Sequence, residues 1–468
     1  MKAQNGEEAL QRGLSIRHIQ MIGLGGAIGT GLFLGSAGVM KAAGPALLLG
    51  YALAGIIAFW MMRQLGEMLV DEPVSGNLSY FAQKYSGGFL GYLSGWNYVA
   101  TYILVGMAEL TAVGKYMNYW WPELPTWLSA AGFFIIINGL NLLNVRIYGE
   151  SEFWFAIVKV VAIVAMIMFG AWMVFGPHPQ AGASISNLWT HGGFMPHGWT
   201  GLLMAMPFIM FAFGGLEMLG FTAGEARDPQ TSIPAAINQV LYRIGIFYIG
   251  ALSILLMLMP WDSLVVSLNT AGDAYSASPF VKVLSILDSK VAASLLNFVV
   301  LAAALSVYNA IVYCNSRQLY AMAKQGNAPK IFLKLSKNQI PVNALAITAV
   351  ITGATILLNY FPTKDLIGTL MALTVTTTVM NWLLTSYIHL KFKAVKAALG
   401  QKMAFAAPFF PLSNYLCIAF IIGLLCTMTL IPETRISIWM IPLWLLVIYG
   451  LYRKKNAVSQ EIIEHKEI

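Results

Sequence analysis

Residues 23–35 read Gly23-Leu-Gly-Gly-Ala-Ile-Gly-Thr-Gly-Leu-Phe-Leu-Gly35, and they lie inside the first long apolar segment of the chain, residues 19–40. Six of these thirteen residues are glycine, and each interior glycine weakens a helix by roughly 1 kcal/mol relative to alanine. Non-helical backbone is tolerated at membrane depth only where protein surrounds it or where it lines a watery cavity. The stretch therefore predicts a helix broken in two, with free peptide groups that can bind a small polar molecule. Close packing of helices through small residues is the alternative.

The composition is that of a membrane protein. Of the 468 residues, 58% are hydrophobic and only 10% are charged, whereas soluble domains have about 25% charged residues. Apolar segments of about twenty residues, the length that crosses a bilayer as a helix, recur along the whole chain. We therefore expect a polytopic all-α membrane protein whose first segment is a retained span, because that segment is too long and too rich in glycine for a cleavable signal.

The net charge of +8 does not indicate a nucleic-acid partner, because the basic residues are unevenly distributed. Residues 176–199 contain no Lys or Arg, whereas residues 317–337 contain five. When the apolar segments are taken as alternating spans, most basic residues fall on the side of the N-terminus. The positive-inside rule then predicts that both termini lie in the cytoplasm. The three cysteines have no spacing typical of a disulfide framework or a zinc site, and we expect no metal and no cofactor.

A second apolar segment, residues 201–223, is also interrupted by glycines, in Phe211-Ala-Phe-Gly-Gly-Leu-Glu-Met-Leu-Gly220. It is the sixth of twelve predicted spans, so the two interrupted spans open two successive sets of five. Because five is odd, the second set enters the membrane from the opposite side, which predicts an inverted repeat with a binding site where the broken helices meet. The predicted parts are an N-terminal cytoplasmic segment (1–18), two repeats (19–175 and 199–391), helices eleven and twelve (408–452) and a cytoplasmic tail (453–468).

Two ionisable residues lie deep in predicted spans. Glu217 is a candidate proton carrier or gate, since intramembrane ionisable groups are functional candidates by default; a protonated side chain bonded to neighbouring backbone is the alternative. Lys159 is interpreted as the only basic residue deep in a span. When protonated, it would place its ammonium beside the carbonyls of the broken first helix, in place of a bound sodium ion. A lysine that extends to the membrane surface is the alternative.

Other charged residues allow less specific interpretations. Glu109, near the outer end of span three, is interpreted either as part of a gate or as a hydrated carboxylate in a vestibule. Glu225, Arg227 and Asp228 follow span six on the cytoplasmic side, where a solvated ion-pair cluster is expected.

Aromatic residues and glycines occur together near the predicted breaks. Tyr102 and Gly106 share one helical face through their i, i+4 spacing, and Phe211 and Phe213 flank the break in span six. Aromatic rings beside glycines suit a flat, bulky apolar ligand. Ordinary packing of aromatic residues is the alternative.

Motifs spread over nearly the whole chain carry a family resemblance: Gly25-Gly-Ala-Ile-Gly-Thr-Gly-Leu-Phe33, Arg63-Gln-Leu-Gly-Glu-Met68, Glu72-Pro-Val-Ser-Gly76, Glu152-Phe-Trp-Phe-Ala156 with Lys159, Phe213-Gly-Gly-Leu-Glu217 and Ala303-Ala-Leu-Ser-Val-Tyr-Asn309. With them the chain resembles the bacterial amino acid permeases of the amino acid–polyamine–organocation superfamily. The resemblance implies twelve transmembrane helices, a leucine-transporter-type five-plus-five inverted repeat with broken helices 1 and 6, and secondary active uptake driven by protons.

Within that family, residues 96–98, 104–116, 315–317 and 324–329 are most similar to the aromatic amino acid permeases, which take up phenylalanine, tyrosine and tryptophan. A phenylalanine-selective permease, or one for proline, lysine or 4-aminobutyrate, is the alternative. A non-transporting amino acid sensor, a membrane enzyme with Glu217 and Glu109 as an acid/base pair, and a channel are the other classes considered.

The resemblance also implies roles for single residues. N–H groups of the first break and the Thr30 hydroxyl would bind the substrate carboxylate, and carbonyls of the second break would bind its amino group. Lys159 would take the place of the coupling cation, Glu217 would lie at the gate, and the partners would be the substrate, a proton and membrane lipid. The implied binding residues are Ala27, Gly29, Thr30 and Gly31 for the carboxylate, Phe211, Ala212 and Gly214 for the amino group, and Tyr102, Gly106 and Phe213 for the side chain.

Overall fold

The computed structural model describes residues 13–25, 28–74, 76–269, 278–286, 290–361 and 366–467, which are almost entirely helical. β-structure in these residues is limited to two isolated bridges. The helices are α1 (Ile16–Gly25), α2 (Thr30–Phe33), α3 (Ser36–Ala43), α4 (Leu47–Asp71), α5 (Asn77–Ser86), α6 (Gly88–Met117), α7 (Thr126–Asn141), α8 (Val145–Phe175), α9 (Gly198–Phe213), α10 (Leu219–Thr222), α11 (Pro229–Arg243), α12 (Ala251–Leu258), α13 (Trp261–Asn269), α14 (Pro279–Ile286), α15 (Lys290–Lys324), α16 (Val342–Tyr360), α17 (Leu366–Ala398), α18 (Leu412–Leu430) and α19 (Pro432–Glu467).

The long helices form a membrane-spanning bundle. Nine helical segments of the described residues are long and apolar enough to cross a bilayer, and α7 is a shorter apolar helix. The bundle is layered: most residues of α15 and α17 are buried, whereas only a minority of the residues of α8 and α19 are. Large apolar side chains such as Trp154, Met168 and Trp172 cover the outer face of α8, as expected for a helix that contacts lipid. The chain is a multi-pass membrane protein.

The first apolar segment is interrupted where its glycines predict an interruption. Helix α1 ends at Gly25 and α2 begins only at Thr30, after Gly29 in a non-helical conformation with φ −130° and ψ −149°. Helix α3 then continues the segment towards its C-terminal end. The first span is therefore interrupted, and Ile28 and Gly29 are non-helical at the interruption.

The second interrupted segment is broken in the same way. Helix α9 ends at Phe213, Gly214 is extended, and Gly215 has a φ of +92°. Glycine adopts this left-handed conformation without the steric cost that a side chain would add. A 3-10 turn, Leu216–Met218, then leads into α10.

The two breaks face each other, because α2 packs directly on α9. A Cβ atom placed on Gly31 would lie 2.6 Å from the Cα atom of Ala212 and 3.1 Å from the ring of Phe211. Only a residue without a side chain permits this approach of the two backbones. Gly31 thus allows the two broken helices to pack against each other at their breaks.

Several helices extend beyond their predicted spans. Helix α8 begins at Val145 rather than at residue 153, and α19 continues through the predicted tail to Glu467. Predicted span seven, residues 237–259, is the later part of a helix that begins at Pro229 and contains a π-helical segment, Ile244–Gly250. Hydropathy marks the lipid-facing length of a helix, whereas polar helical turns continue past the membrane surface.

Candidate functional site

Lys159 lies beside the first break. Its side chain is fully buried, and its Nζ donates hydrogen bonds to the Ile28 carbonyl (3.1 Å) and to Ser306 Oγ (2.9 Å). The expected contact between the ammonium and a carbonyl of the broken first helix is therefore present. The side chain does not extend to the membrane surface, so that alternative is wrong.

A chain of hydrogen bonds connects Lys159 to a buried carboxylate. Ser306 Oγ, which accepts from Lys159, donates to Glu152 Oε2 at 2.7 Å, and Asn309 Nδ2 donates to Glu152 Oε1 at 2.6 Å. Glu152 and Lys159 lie seven residues apart, about two turns along one face of α8. Burying an ammonium is costly unless it is paired, and Glu152 supplies the opposite charge. The sequence interpretation treated Glu152 only as part of a motif and missed this link.

Glu109 contacts the other side of the first break. Its Oε1 accepts hydrogen bonds from the Thr30 N–H (3.3 Å) and from Thr30 Oγ1 (3.0 Å), and its side chain is only 2% exposed. A Cβ atom on Gly29 would lie 2.6 Å from the same oxygen, so a glycine is needed there for this contact. Glu109 is therefore buried beside the first break, so its interpretation as a hydrated vestibule carboxylate is wrong.

Glu217 lies directly behind the second break. The side chain is fully buried, and its backbone carbonyl accepts a hydrogen bond from Asn77 Nδ2 at 3.2 Å. Its neighbours are the Trp382 side chain, the Gly215 backbone and Arg243. Within the described residues, neither carboxylate oxygen makes a hydrogen bond of ordinary geometry. The second break thus has a buried carboxyl group beside the left-handed backbone of Gly215.

Carbonyls at the end of α9 are engaged by other groups. The Phe211 carbonyl accepts from the Gly214 N–H at 3.1 Å, and the Ala212 carbonyl accepts from Tyr248 OH at 2.7 Å. Each carbonyl oxygen has two lone pairs, so each can accept one further donor.

Arg243 is a second basic residue that is buried in an apolar helical segment. It is 1% exposed in the segment Pro229–Leu258, so Lys159 is not the only residue of this kind. Its Nη2 donates to Tyr248 OH at 2.7 Å. An arginine inside an apolar segment is itself a functional candidate, and the sequence interpretation did not include it.

Phe213, Tyr248 and Tyr51 form an aromatic stack next to the second break. The Phe213 and Tyr248 rings lie 5.0 Å apart at 20°, and the Tyr248 and Tyr51 rings lie 5.5 Å apart at 26°. Offset-stacked rings at this distance stabilise one another beyond simple burial. Phe213, which is predicted to contact the side chain of the substrate, therefore lies at the second break.

Tyr102 belongs to a different aromatic cluster. Its ring centroid lies 5.5 Å from that of Phe221, just past the second break, and 5.8 Å from that of Tyr98. Gly106, one turn further along α6, is directed elsewhere: a Cβ atom there would lie 3.3 Å from Ile311 and from Thr352, on α15 and α16. The structure therefore brings Tyr102 close to the second break and does not bring Gly106 there.

The charged cluster that follows α10 differs from the solvated ion pairs that are expected from the sequence. Glu225 is 1% exposed, and it accepts hydrogen bonds from Tyr313 OH (2.6 Å) and from Arg317 Nε (3.1 Å) on α15. Arg227 and Asp228, in contrast, are exposed. The expectation is thus wrong for Glu225, because a basic partner from a distant part of the sequence covers it.

The remaining predicted residues cluster at the breaks, with one exception. Gly29, Thr30 and Gly31 lie at the first break, and Gly214 lies at the second. Ala27 lies outside the described residues.

This arrangement agrees with what comparison with known proteins finds. A family model described as amino acid permease matches residues 18–462. The chain belongs to the amino acid permease family. The family resemblance carried by the motifs is therefore confirmed.

Relatives of this permease match over nearly their full length. It is 53% identical over 465 residues to the aromatic amino acid transport protein AroP of Salmonella typhimurium strain LT2, covering 99% of this chain and 100% of the relative. The same protein of Escherichia coli K12 is 52% identical with the same coverage. An uncharacterized amino acid permease of Bacillus subtilis strain 168, YtnA, is 38% identical over 97% of this chain and 98% of its own length.

Proposed function

We propose that this permease imports the aromatic L-amino acids phenylalanine, tyrosine and tryptophan, together with a proton, across the bacterial cytoplasmic membrane. The observation that carries the choice of substrate is the 52–53% identity, over full length, to aromatic amino acid transport proteins. The aromatic residues at the second break, Phe213 and Tyr102, support a pocket for a flat side chain.

The proposed architecture is a twelve-span bundle with two inverted five-helix repeats, residues 19–175 and 199–391, and both termini in the cytoplasm. The two breaks support it, since they open the first and the sixth predicted spans and pack against each other. Helices that are discontinuous at corresponding positions of two repeats are typical of transporters with alternating access.

The two breaks would bind the zwitterionic part of the substrate. Thr30 N–H and Thr30 Oγ1, with the N–H groups of Gly29 and Gly31, would donate to the carboxylate. The free lone pairs of the Phe211 and Ala212 carbonyls would accept from the ammonium. Because Glu109 now accepts from Thr30, substrate binding would require its carboxyl group to withdraw.

Lys159 would couple this binding to a proton. With its proton, the ammonium holds the Ile28 carbonyl in place, as a bound cation would. Loss of the proton would release that carbonyl and allow α1 to move while Glu217 gates the second break. The electrical part of the proton gradient contributes roughly 2.3 kcal/mol per charge for each 100 mV.

Uptake of labelled phenylalanine into membrane vesicles tests the proposal, with each standard amino acid as competitor and with a protonophore. We expect competition by phenylalanine, tyrosine and tryptophan and loss of accumulation with the protonophore. Competition dominated by lysine, proline or 4-aminobutyrate would assign another branch of the family. Binding without accumulation would indicate a sensor, and recovery of chemically altered label would indicate an enzyme.

A further inference from the structure

The buried guanidinium of Arg243 lies between the two broken helices. Helix α11 ends at Arg243 and continues as the π-helical segment Ile244–Gly250. A π-helix closes hydrogen bonds between residues five apart, and this spacing brings Tyr248 onto the same face as Arg243. The resulting bond from Arg243 Nη2 to Tyr248 OH is 2.7 Å long.

The pair reaches the end of both half-helices that precede a break. Tyr248 OH donates to the Ala212 carbonyl, in the last turn of α9, at 2.7 Å. Arg243 Nη1 makes a longer contact, 3.5 Å, with the Gly23 carbonyl in the last turn of α1. Carbonyls in the last turn of a helix have no partner within the helix and carry partial negative charge. One buried cation is therefore linked to the carboxyl ends of two interrupted helices, directly to α1 and through the Tyr248 hydroxyl to α9.

Packing fixes the position of this pair. The Tyr248 ring stacks on both Phe213 and Tyr51, which also contact each other at 6.1 Å, and all three rings are buried. On the other side, a Cβ atom on Gly23 would lie 3.2 Å from the Ala236 side chain, so α1 and α11 are close there. The hydrogen bonds are thus made between groups that have little freedom to move.

We propose that Arg243 and Tyr248 are positioning residues that orient the Ala212 carbonyl to receive the substrate ammonium. This inference rests on the proposed function, in which that carbonyl binds the amino group. Tyr248 uses one lone pair of the carbonyl oxygen and leaves the other for the substrate. Arg243 orients the tyrosine hydroxyl, because its N–H donor forces the hydroxyl proton towards Ala212.

The test is Tyr248→Phe, which removes the hydroxyl and keeps the stacked ring. We expect the KM for proton-driven phenylalanine uptake to rise about two- to tenfold, the effect of one hydrogen bond. The maximal rate per protein in the membrane should stay unchanged, because the ring and its packing remain. A merely structural role would lower the rate or the amount of protein and leave KM in place.

Tyr51→Phe is the matched control. Tyr51 belongs to the same stack, and within the described residues its hydroxyl has no hydrogen-bond partner, so its removal should leave KM at the wild-type value. Arg243→Lys should raise KM as well. The increase in the double variant with Tyr248→Phe should be smaller than the product of the two single increases, because both act through one carbonyl.

The outcomes separate this inference from the proposed function. If wild-type protein does not accumulate phenylalanine, the proposed function is wrong, and the variants are not needed to show it. If wild-type protein transports and Tyr248→Phe keeps its KM, only the positioning role is wrong. Equal KM increases in Tyr248→Phe and Tyr51→Phe would also overturn it, since the effect would then belong to the stack.

Discussion

At the scale of single residues, buried charge decides how the first break is held. Lys159 contacts the Ile28 carbonyl and, through Ser306, the carboxylate of Glu152. Loss of the lysine proton removes one of three N–H donors and the positive charge, so it weakens these contacts. The protonation state of one side chain is therefore linked directly to the backbone that would hold the substrate.

Lys159→Ala should reach the membrane and lose proton-driven accumulation of phenylalanine, because nothing then replaces the ammonium at the Ile28 carbonyl. Glu217→Ala should behave in the same way if this carboxyl group gates the second break. Vesicle uptake, normalised to protein in the membrane, measures both. Lys290→Ala, at an exposed position at the start of α15, is the control. If both site variants accumulate phenylalanine to the wild-type level, the proposed proton coupling through Lys159 and Glu217 is wrong.

Glu225→Gln should destabilise the protein, because it leaves the Arg317 guanidinium buried without its carboxylate. Breaking a buried pair in this way typically costs about 3–5 kcal/mol. The expected result is a lower unfolding temperature in detergent micelles. Asp228→Asn, three residues further on and exposed, should leave that temperature nearly unchanged. Equal stability of the two variants would contradict the assignment of Glu225 and Arg317 as a buried pair.

At the scale of helices, the site depends on the close approach of α2 and α9. Gly31 permits it, since a Cβ atom there would lie 2.6 Å from backbone rather than from a movable side chain. Backbone cannot rotate away as a side chain can, so the neighbouring half-helix must shift as a whole. The same glycines that break the helices also bring the two broken ends together.

Gly31→Ala should therefore reduce uptake strongly while the protein still folds, since overpacking of this kind costs about 1–3 kcal/mol. The loss should appear in phenylalanine uptake per protein in the membrane. Gly132→Ala, on α7, is the matched control, because among the described residues nothing lies within 4 Å of a Cβ atom there. Full activity of Gly31→Ala would mean that close contact of the two breaks is not required.

The sequence allowed the breaks to be predicted because glycine acts locally. The clusters at residues 23–35 and 211–220 weaken a helix wherever they lie. The contacts of Arg243 and Glu225 could not be predicted in this way, since their partners, Gly23 and Arg317, lie far along the chain. The position of Gly106 could not be predicted for the same reason. It lies one turn from Tyr102 on α6 as expected, but the neighbouring helices determine which face of α6 lies near the second break.

At the scale of the whole molecule, ionic contacts connect the ends of three helices, α4, α5 and α17. Glu72, just after α4, accepts hydrogen bonds from Lys84 Nζ and Tyr85 OH, both at 2.6 Å, on α5. Lys396, at the end of α17, lies 2.6 Å from Asp71 and 3.4 Å from Glu72. Partial burial alone would raise the pKa of Glu72, but the bonds from Lys84 and Tyr85 outweigh it and lower the pKa to about 2.

A carboxyl group whose pKa is lower in the folded state stabilises that state above its unfolded pKa and loses this effect as the pH falls. Glu72→Gln should therefore lower the unfolding temperature at neutral pH, and the difference from wild type should shrink between about pH 4.5 and about pH 2. Thermal unfolding in micelles across that range measures it. Glu123→Gln, at an exposed loop position, is the control, and a difference for Glu72→Gln that does not depend on pH would contradict the assignment.

The central claim is that two broken helices together bind the charged groups of one amino acid. The most direct test is an experimental structure with bound L-phenylalanine. We expect the carboxylate at the N–H groups around Thr30 and the ammonium at the carbonyls of Phe211 and Ala212. Phenylalanine bound elsewhere, with both breaks free of ligand, would contradict it.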